Sequence, residues 1–260
     1  MSAVRLAIGT FTIFPAGMPA RVDRASARGA MLLAPLLGLL LGAIAAAIMW
    51  AVRTVAGAAY GDLLAATLAV GALAYMTRAL HLDGLADSAD ALGSGRRGPA
   101  ALEIARRGDI GPFGVATLVI VLLVDVAALA MSASAHHGTV AVVLAVATGR
   151  LAATWACVRG IPAARPEGLG ALVAGTVPLL AALAWTVALA GIALGLAYAD
   201  DDSTMREILA APLSILVGLG VALLLVRRSV SRMGGITGDT LGATIEVGTC
   251  ATLVAFALGA

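Results

Sequence analysis

The sequence predicts an all-α fold: a polytopic integral membrane helical bundle with about seven transmembrane helices. Three observations carry that expectation. Of the 260 residues, 61% are hydrophobic and only 12% are charged, where a soluble domain carries about 25% charged residues. The mean hydropathy is +1.01, more apolar surface than a globule of this size can hide from water. The apolar residues also come in runs of about 20, the length a helix needs to cross a bilayer. They lack the strict alternation of a membrane β-barrel.

Taken in order, the first twenty residues form too short a run before Pro15 and Gly17 to span. They are expected to lie in the interface or to dip in partway. The run at 4–16 has no clear cleavage site and is followed by arginines, so no cleavable signal peptide is expected. Spans are expected at roughly 31–52, 61–80, 112–132, 138–158, 174–198, 208–226 and 240–259. The longest connection, 81–111, is too short for a second domain and no internal repeat is evident, so residues 1–260 read as a single membrane-embedded domain. Cys157 and Cys250 lie in apolar stretches and imply no disulfide framework.

Charge sets the orientation. All 17 basic residues apart from histidine are arginine. Arginine is the better bidentate phosphate partner, although the abundance of Ala, Gly and Val makes genome composition the simpler explanation. With these spans, 15 arginines fall on one side, among them Arg5, Arg21, Arg24, Arg28, Arg78, Arg96, Arg97, Arg159, Arg227 and Arg228. Only Arg53 and Arg206 fall on the other, with the acidic run Asp200, Asp201 and Asp202. By the positive-inside rule the first side is cytoplasmic, with the N-terminus in and the C-terminus out. Every motif-bearing connection then faces the cytoplasm.

Four cytoplasmic segments stand out. The first, 78–90, reads Arg-Ala-Leu-His-Leu-Asp-Gly-Leu-Ala-Asp-Ser-Ala-Asp. On a helix, Asp83, Asp87 and Asp90 fall at about 0°, 40° and 340°, one face. Three anions on one face repel, and a hard cation such as Mg²⁺ is the usual relief. The plainer alternative is a solvated acidic helix start with Asp83 as its cap. His81 reads as a structural hydrogen-bonding partner or a general base.

The second segment, 104–114, reads Ile-Ala-Arg-Arg-Gly-Asp-Ile-Gly-Pro-Phe-Gly. Its glycines allow backbone to approach a ligand, and Arg106 and Arg107 supply phosphate forks. An ordinary loop ending at a helix with Pro112 in its first turn is equally consistent with the spacing. The third holds Arg150, about two turns inside its span, and Arg165 in Ile-Pro-Ala-Ala-Arg-Pro-Glu-Gly-Leu-Gly at 161–170. An arginine at that depth usually faces the bundle interior with a partner; bare snorkelling is the alternative. The fourth is centred on Arg-Met-Gly-Gly-Ile-Thr-Gly-Asp-Thr-Leu-Gly-Ala at 232–243. The glycines ahead of Asp239 suggest a tight turn that exposes amides to an anion. Glu246 shares a helix face with Asp239, roughly 10 Å deeper, where Arg150 is a plausible partner.

Acids that can hold Mg²⁺, ringed by arginines, are the equipment of phosphoryl transfer. No G-x-x-x-x-G-K-[ST] motif is present, and no lysine could complete one. A diphosphate must therefore be bound by another design.

In this order, Leu82-Asp-Gly-Leu-Ala-Asp-Ser-Ala-Asp90, Ile110-Gly-Pro-Phe-Gly114, Arg165 with Gly168-Leu-Gly170, and Gly234-Gly-Ile-Thr-Gly-Asp-Thr-Leu-Gly-Ala243 resemble the cobalamin synthase family, the adenosylcobinamide-GDP ribazoletransferases. The resemblance covers residues 8 to 250, and its first and last motifs are the specific ones. It implies the last stage of nucleotide-loop assembly in vitamin B12 biosynthesis. A hydroxyl of α-ribazole, or of its 5′-phosphate, attacks the phosphorus of adenosylcobinamide-GDP next to the cobinamide arm, and GMP leaves. It implies Mg²⁺ as cofactor, held by Asp83, Asp87 and Asp90, with Asp239 as a further ligand or as the base. Asp83, Asp87 and Asp239 are thus the expected catalytic residues. Arg78, His81, Arg106, Arg107, Arg150, Arg165, Arg232, Thr237 and Glu246 are the expected substrate contacts. The two substrates and membrane lipid are the expected partners, with no nucleic acid; a homo-oligomer, or association with other cobamide-assembly enzymes, is left open. The implied location is the bacterial inner membrane, with the site facing the cytoplasm.

One departure stands out. Relatives commonly carry Arg-Asp-Ser ahead of Ile-Gly, whereas Arg106-Arg107-Gly108-Asp109 precedes Ile110 here. Either Asp109 substitutes through a shifted loop, or that acid is not essential.

Two other readings compete. Membrane CDP-alcohol phosphotransferases also carry an Asp-Gly-led acidic run, but with Ala-Arg after the Asp-Gly and wider acid spacing; Leu85-Ala86 stands here instead. A transporter could use Arg150, Glu246 and Asp125 as an ion path. Transporter sites, however, centre at the midplane between repeat halves, and the informative residues here crowd one face.

Overall fold

The computed structural model describes residues 1–17, 19, 22–199 and 204–259, with the side chains of residues 58–60 left aside. Arg21 and the acidic run Asp200, Asp201 and Asp202 therefore lie outside the described residues. Among the described residues the elements are all α-helices. In chain order they are α1 (Ser2–Phe11), α2 (Arg24–Ala56), α3 (Ala58–Met76), α4 (Leu80–Gly93), α5 (Pro99–Ile104) and α6 (Pro112–Ser134). Then follow α7 (Gly138–Ala156), α8 (Gly168–Val173), α9 (Leu179–Tyr198), α10 (Met205–Met233) and α11 (Gly238–Gly259).

Six of these, α2, α6, α7, α9, α10 and α11, are long and apolar enough to cross a membrane, and the bent pair α3–α4 brings the number to seven. The chain is a multi-pass membrane protein, and the expected spans all have a counterpart. The differences lie at their edges. The sixth span was expected at 208–226, but α10 runs over Met205–Met233. Its start is fixed by a reciprocal cap between Thr204 and Glu207, and its end carries arginines past the apolar run. The fifth starts at Leu179 rather than 174, because Pro178 precedes it. The fourth ends at Ala156 rather than 158.

Buried α7 is the axis, packed against α2, α10 and α11. Lipid tails are as apolar as the side chains, so membrane helices associate through close backbone packing rather than hydrophobic expulsion. Gly38 and Gly42, four apart on α2, permit this: a Cβ on either would stand 2.7 Å from the α7 backbone, at Ala147 and Val143.

The second span differs most. Residues 61–80 were expected as one helix, but α3 stops at Met76 and the chain turns 88° into α4. The elbow is made by Arg78 (φ 56°) and Ala79 (φ 53°), both left-handed without being glycine. The N-terminal segment holds it. The Ile13 amide donates to the Met76 carbonyl (2.6 Å), the Arg78 guanidinium to the Gly9 carbonyl (3.1 Å), and Phe11 stacks obliquely on His81 at 6.0 Å. A left-handed conformation costs a residue with a Cβ about 1–2 kcal/mol. Ala79 is exposed, so its methyl contributes no burial. Ala79→Gly is therefore expected to raise stability by up to about 1 kcal/mol, net of the extra backbone entropy of glycine. A rise in the thermal midpoint of the purified protein checks this.

The two ends of the bundle differ. One carries Arg53 bound to Asp62 at 2.7 Å and His137 near Glu207 at 3.5 Å. The other carries the start of α4, the starts of α6 and α11, and the long connection after α7; it is called the acidic end below.

Candidate active site

At the acidic end, α4 crosses the start of α11 with backbone against backbone. A Cβ on Gly84 would lie 2.7 Å from the Asp239 carbonyl oxygen and 3.0 Å from its Cα. One on Gly242 would lie 3.1 Å from the His81 Cα. Thr237 starts α11: its hydroxyl accepts the Thr240 amide at 3.1 Å and donates to the Asp239 carboxylate at 3.2 Å. The two acid-bearing segments, more than a hundred residues apart in sequence, thus meet.

Asp83 is exposed; Asp87 and Asp239 are half-buried. The Asp87 carboxyl is partly buried and feels the charges of Asp83, Asp239 and Asp90. These four acids are close enough to repel. Asp90, however, is directed elsewhere. Its carboxylate accepts the amides of Gly111 (2.7 Å) and Gly114 (3.0 Å), holding the first turn of α6. A negative charge is favoured there by the unpaired amides and the helix dipole. A Cβ on either glycine would collide with that carboxylate.

Among the described residues, no three His, Cys, Asp or Glu side chains converge as a complete metal cage. The donor set still fits Mg²⁺. That ion takes hard oxygens, keeps several waters and usually needs only one or two carboxylates beside substrate phosphates. Asp83, Asp87 and Asp239 can supply these.

The arginines reach the same end from the connection between α7 and α9. The Ala164 amide donates to the Ile236 carbonyl and the Ile236 amide to the Pro162 carbonyl, both at 3.0 Å. This pairing places Arg165 beside the start of α11. Its guanidinium donates to the Leu102 carbonyl at 2.7 Å. Burial and the neighbouring Arg106 hold its pKa below the usual arginine value, opposed by Asp239. Arg106 and Arg165 line a cavity of about 390 Å³ with Glu167, which lies 3.8 Å from Arg106. Arg107 lines a second cavity of about 330 Å³ with Asp87 and Asp90. Arg232, in the last turn of α10, keeps a buried Nε with no hydrogen-bond partner.

Four expected contacts are placed elsewhere in the bundle. His81 is buried between α1, α4 and α11. Arg150 and Glu246 line one interior cavity with Asp125, Thr77 and Thr249, so the two expected partners face the same space between α7 and α11. Arg78 serves the elbow.

Sequence reasoning read Gly235 as part of a tight turn and gave Gly84 and Gly170 no packing role. A Cβ on Gly170 would stand 2.6 Å from the Ile236 carbonyl, and one on Gly235 would collide with the Ala163–Ala164 backbone. The spacing Gly84-x-x-x-Ser88 opposite Gly238-x-x-x-Gly242 was the available signal, since small residues four apart mark close helix contacts.

The chain matches the family model described as cobalamin-5-phosphate synthase over residues 3–257. It is 45% identical to a protein of Frankia casuarinae, covering 99% of this chain and 95% of that relative. It is 42% identical to one of a Nocardioides species (98% of each) and 38% identical to one of Stutzerimonas stutzeri (99% and 98%). All three relatives carry the name adenosylcobinamide-GDP ribazoletransferase. None of the solved structures matches the chain. By the family model and by these full-length relatives, the chain belongs to the cobalamin-5-phosphate synthase family.

Proposed function

We propose that the chain is an adenosylcobinamide-GDP ribazoletransferase working at the cytoplasmic face of the bacterial inner membrane. The observation that carries this reading is the contact of Gly84 with Asp239. It unites two acidic segments beside Arg165 at one end of an apolar bundle. The names of the full-length relatives support it. The segregation of 15 of 17 arginines supports the orientation.

In the reaction, a hydroxyl oxygen of α-ribazole, or of its 5′-phosphate, bonds to the phosphorus next to the cobinamide arm. The bond from that phosphorus to the bridging oxygen breaks, and GMP leaves with the bridging oxygen and its electron pair. One or two of Asp83, Asp87 and Asp239, with water and phosphate oxygens, would hold Mg²⁺, which neutralises charge on the diphosphate and on the departing GMP. Arg106 and Arg165 contact phosphate oxygens from the other side of the site. Asp239 feels the charges of both Arg165 and Asp83, which supports a role for its carboxylate as acceptor of the hydroxyl proton.

The test is turnover by purified protein with adenosylcobinamide-GDP, α-ribazole and Mg²⁺. GMP and a cobalamin should appear in equal amounts. Neither product appearing would overturn the reading.

A further inference from the structure

We propose that Arg107, Asp109 and Phe113 form the nucleobase subsite that reads the guanine of the donor. The inference rests on the donor being a GDP derivative. It starts from the cavity of about 330 Å³ between the end of α4 and the connection from α5 to α6. That size falls in the range of roughly 300–1,000 Å³ typical of small-molecule sites. Asp87 lines one wall, which ties the cavity to the acids that would face the diphosphate. Asp90 lies on the same side, and Arg107, Asp109 and Phe113 are among the residues that line the remainder.

Each of the three side chains suits a planar, polar base. Phe113 is 53% exposed although it opens a long helix. Its ring lies over Gly93, where a Cβ would come within 2.6 Å of it; glycine at that position lets the ring lie close on α4 and wall the cavity. An aromatic anchor in the lipid interface would also be exposed. This one, however, shares its cavity with three carboxylates and an arginine, which is no place for an acyl chain. Base stacking on such a ring is tolerant of base identity.

Identity must come from the polar pair. Asp109 and Arg107 are exposed, and neither side chain makes a hydrogen bond or ion pair with another described residue. Guanine presents two donors, N1–H and the 2-amino group, on one edge, and two acceptors, O6 and N7, on another. An ionised carboxylate is an acceptor only and matches the first edge; a guanidinium is a donor only and matches the second. Adenine offers an acceptor at N1, which a carboxylate repels. The displaced acid of the sequence motif, Asp109, thereby acquires a role in specificity rather than in metal binding.

The test is equilibrium binding of GMP, IMP and AMP, in Mg²⁺, to the purified full chain. Wild type should bind GMP at least tenfold more tightly than AMP, with IMP between them. Asp109→Ala should bring GMP and AMP within twofold of each other. Phe113→Ala should weaken all three by a similar factor, fivefold or more, and keep their order, which a purely packing role for the ring would not do. A wild type that does not prefer GMP, or an Asp109→Ala variant with an unchanged GMP-to-AMP ratio, overturns the subsite. Release of GMP from adenosylcobinamide-GDP separates the two readings. Turnover without base preference refutes the subsite alone, and base preference without turnover refutes the transferase reading alone.

Discussion

Asp239→Asn is expected to lower turnover by at least about 10³-fold, a loss of roughly 4 kcal/mol of transition-state stabilisation, with the protein still folded. The carboxylate feels the charges of both Arg165 and Asp83, and in the proposed reaction it serves the metal and the attacking hydroxyl together. The amide is nearly isosteric and can still accept the Thr237 hydroxyl that now reaches Asp239 Oδ2. The start of α11 should therefore survive. Asp83→Asn and Asp87→Asn should behave alike. Asp90→Asn should not, because that carboxylate is occupied by the Gly111 and Gly114 amides. Its loss should cost about 1–2 kcal/mol of stability and less than tenfold in turnover. Steady-state rates and thermal midpoints of the four variants, measured together, decide this. Equal rate losses at Asp90 and Asp239 would contradict the division of roles.

Gly84→Val is expected to damage both fold and activity. No rotamer can relieve the contact, because a Cβ at this position meets the Asp239 backbone rather than a flexible side chain. Overpacking of this kind costs about 1–3 kcal/mol, and the helices must separate to relieve it. A displacement of about 1 Å at a reacting centre can cost about 10²-fold in rate. Turnover should thus fall at least that far even where the protein remains folded. Gly71 on α3 is the control: nothing lies within 4 Å of a Cβ there, so Gly71→Ala should be neutral or mildly stabilising. Comparable damage at both glycines would mean that the α4–α11 contact is not special.

Much of this was legible before any coordinates. Runs of about 20 apolar residues fix helical spans, since the bilayer leaves the backbone no other partner. The Asp-Gly-Leu-Ala-Asp and Gly-Ile-Thr-Gly-Asp segments marked the site because charge is costly in so apolar a chain. The elbow at Arg78 and Ala79 was not legible. Neither residue favours a left-handed turn, and contacts from the distant N-terminal segment hold it there. Asp90 looked like a third ligand because helical periodicity gives its face but not its neighbour. The Gly111 and Gly114 amides that it accepts come from another helix. Arg150 and Glu246 were plausible partners on paper, and both line the same interior cavity. Their distance from the acids could not be read from spacing alone.

In the proposed site, acids from two distant segments hold a divalent cation on the donor's diphosphate. Sulfur in place of a non-bridging oxygen, on the phosphorus next to the cobinamide arm, tests it most directly. With Mg²⁺, turnover of the thio-substituted donor should fall by about 10²-fold or more, and a softer ion, Mn²⁺ or Cd²⁺, should restore it in wild type. Undiminished turnover of the thio-donor with Mg²⁺, or a loss that no softer ion reverses, would contradict the account.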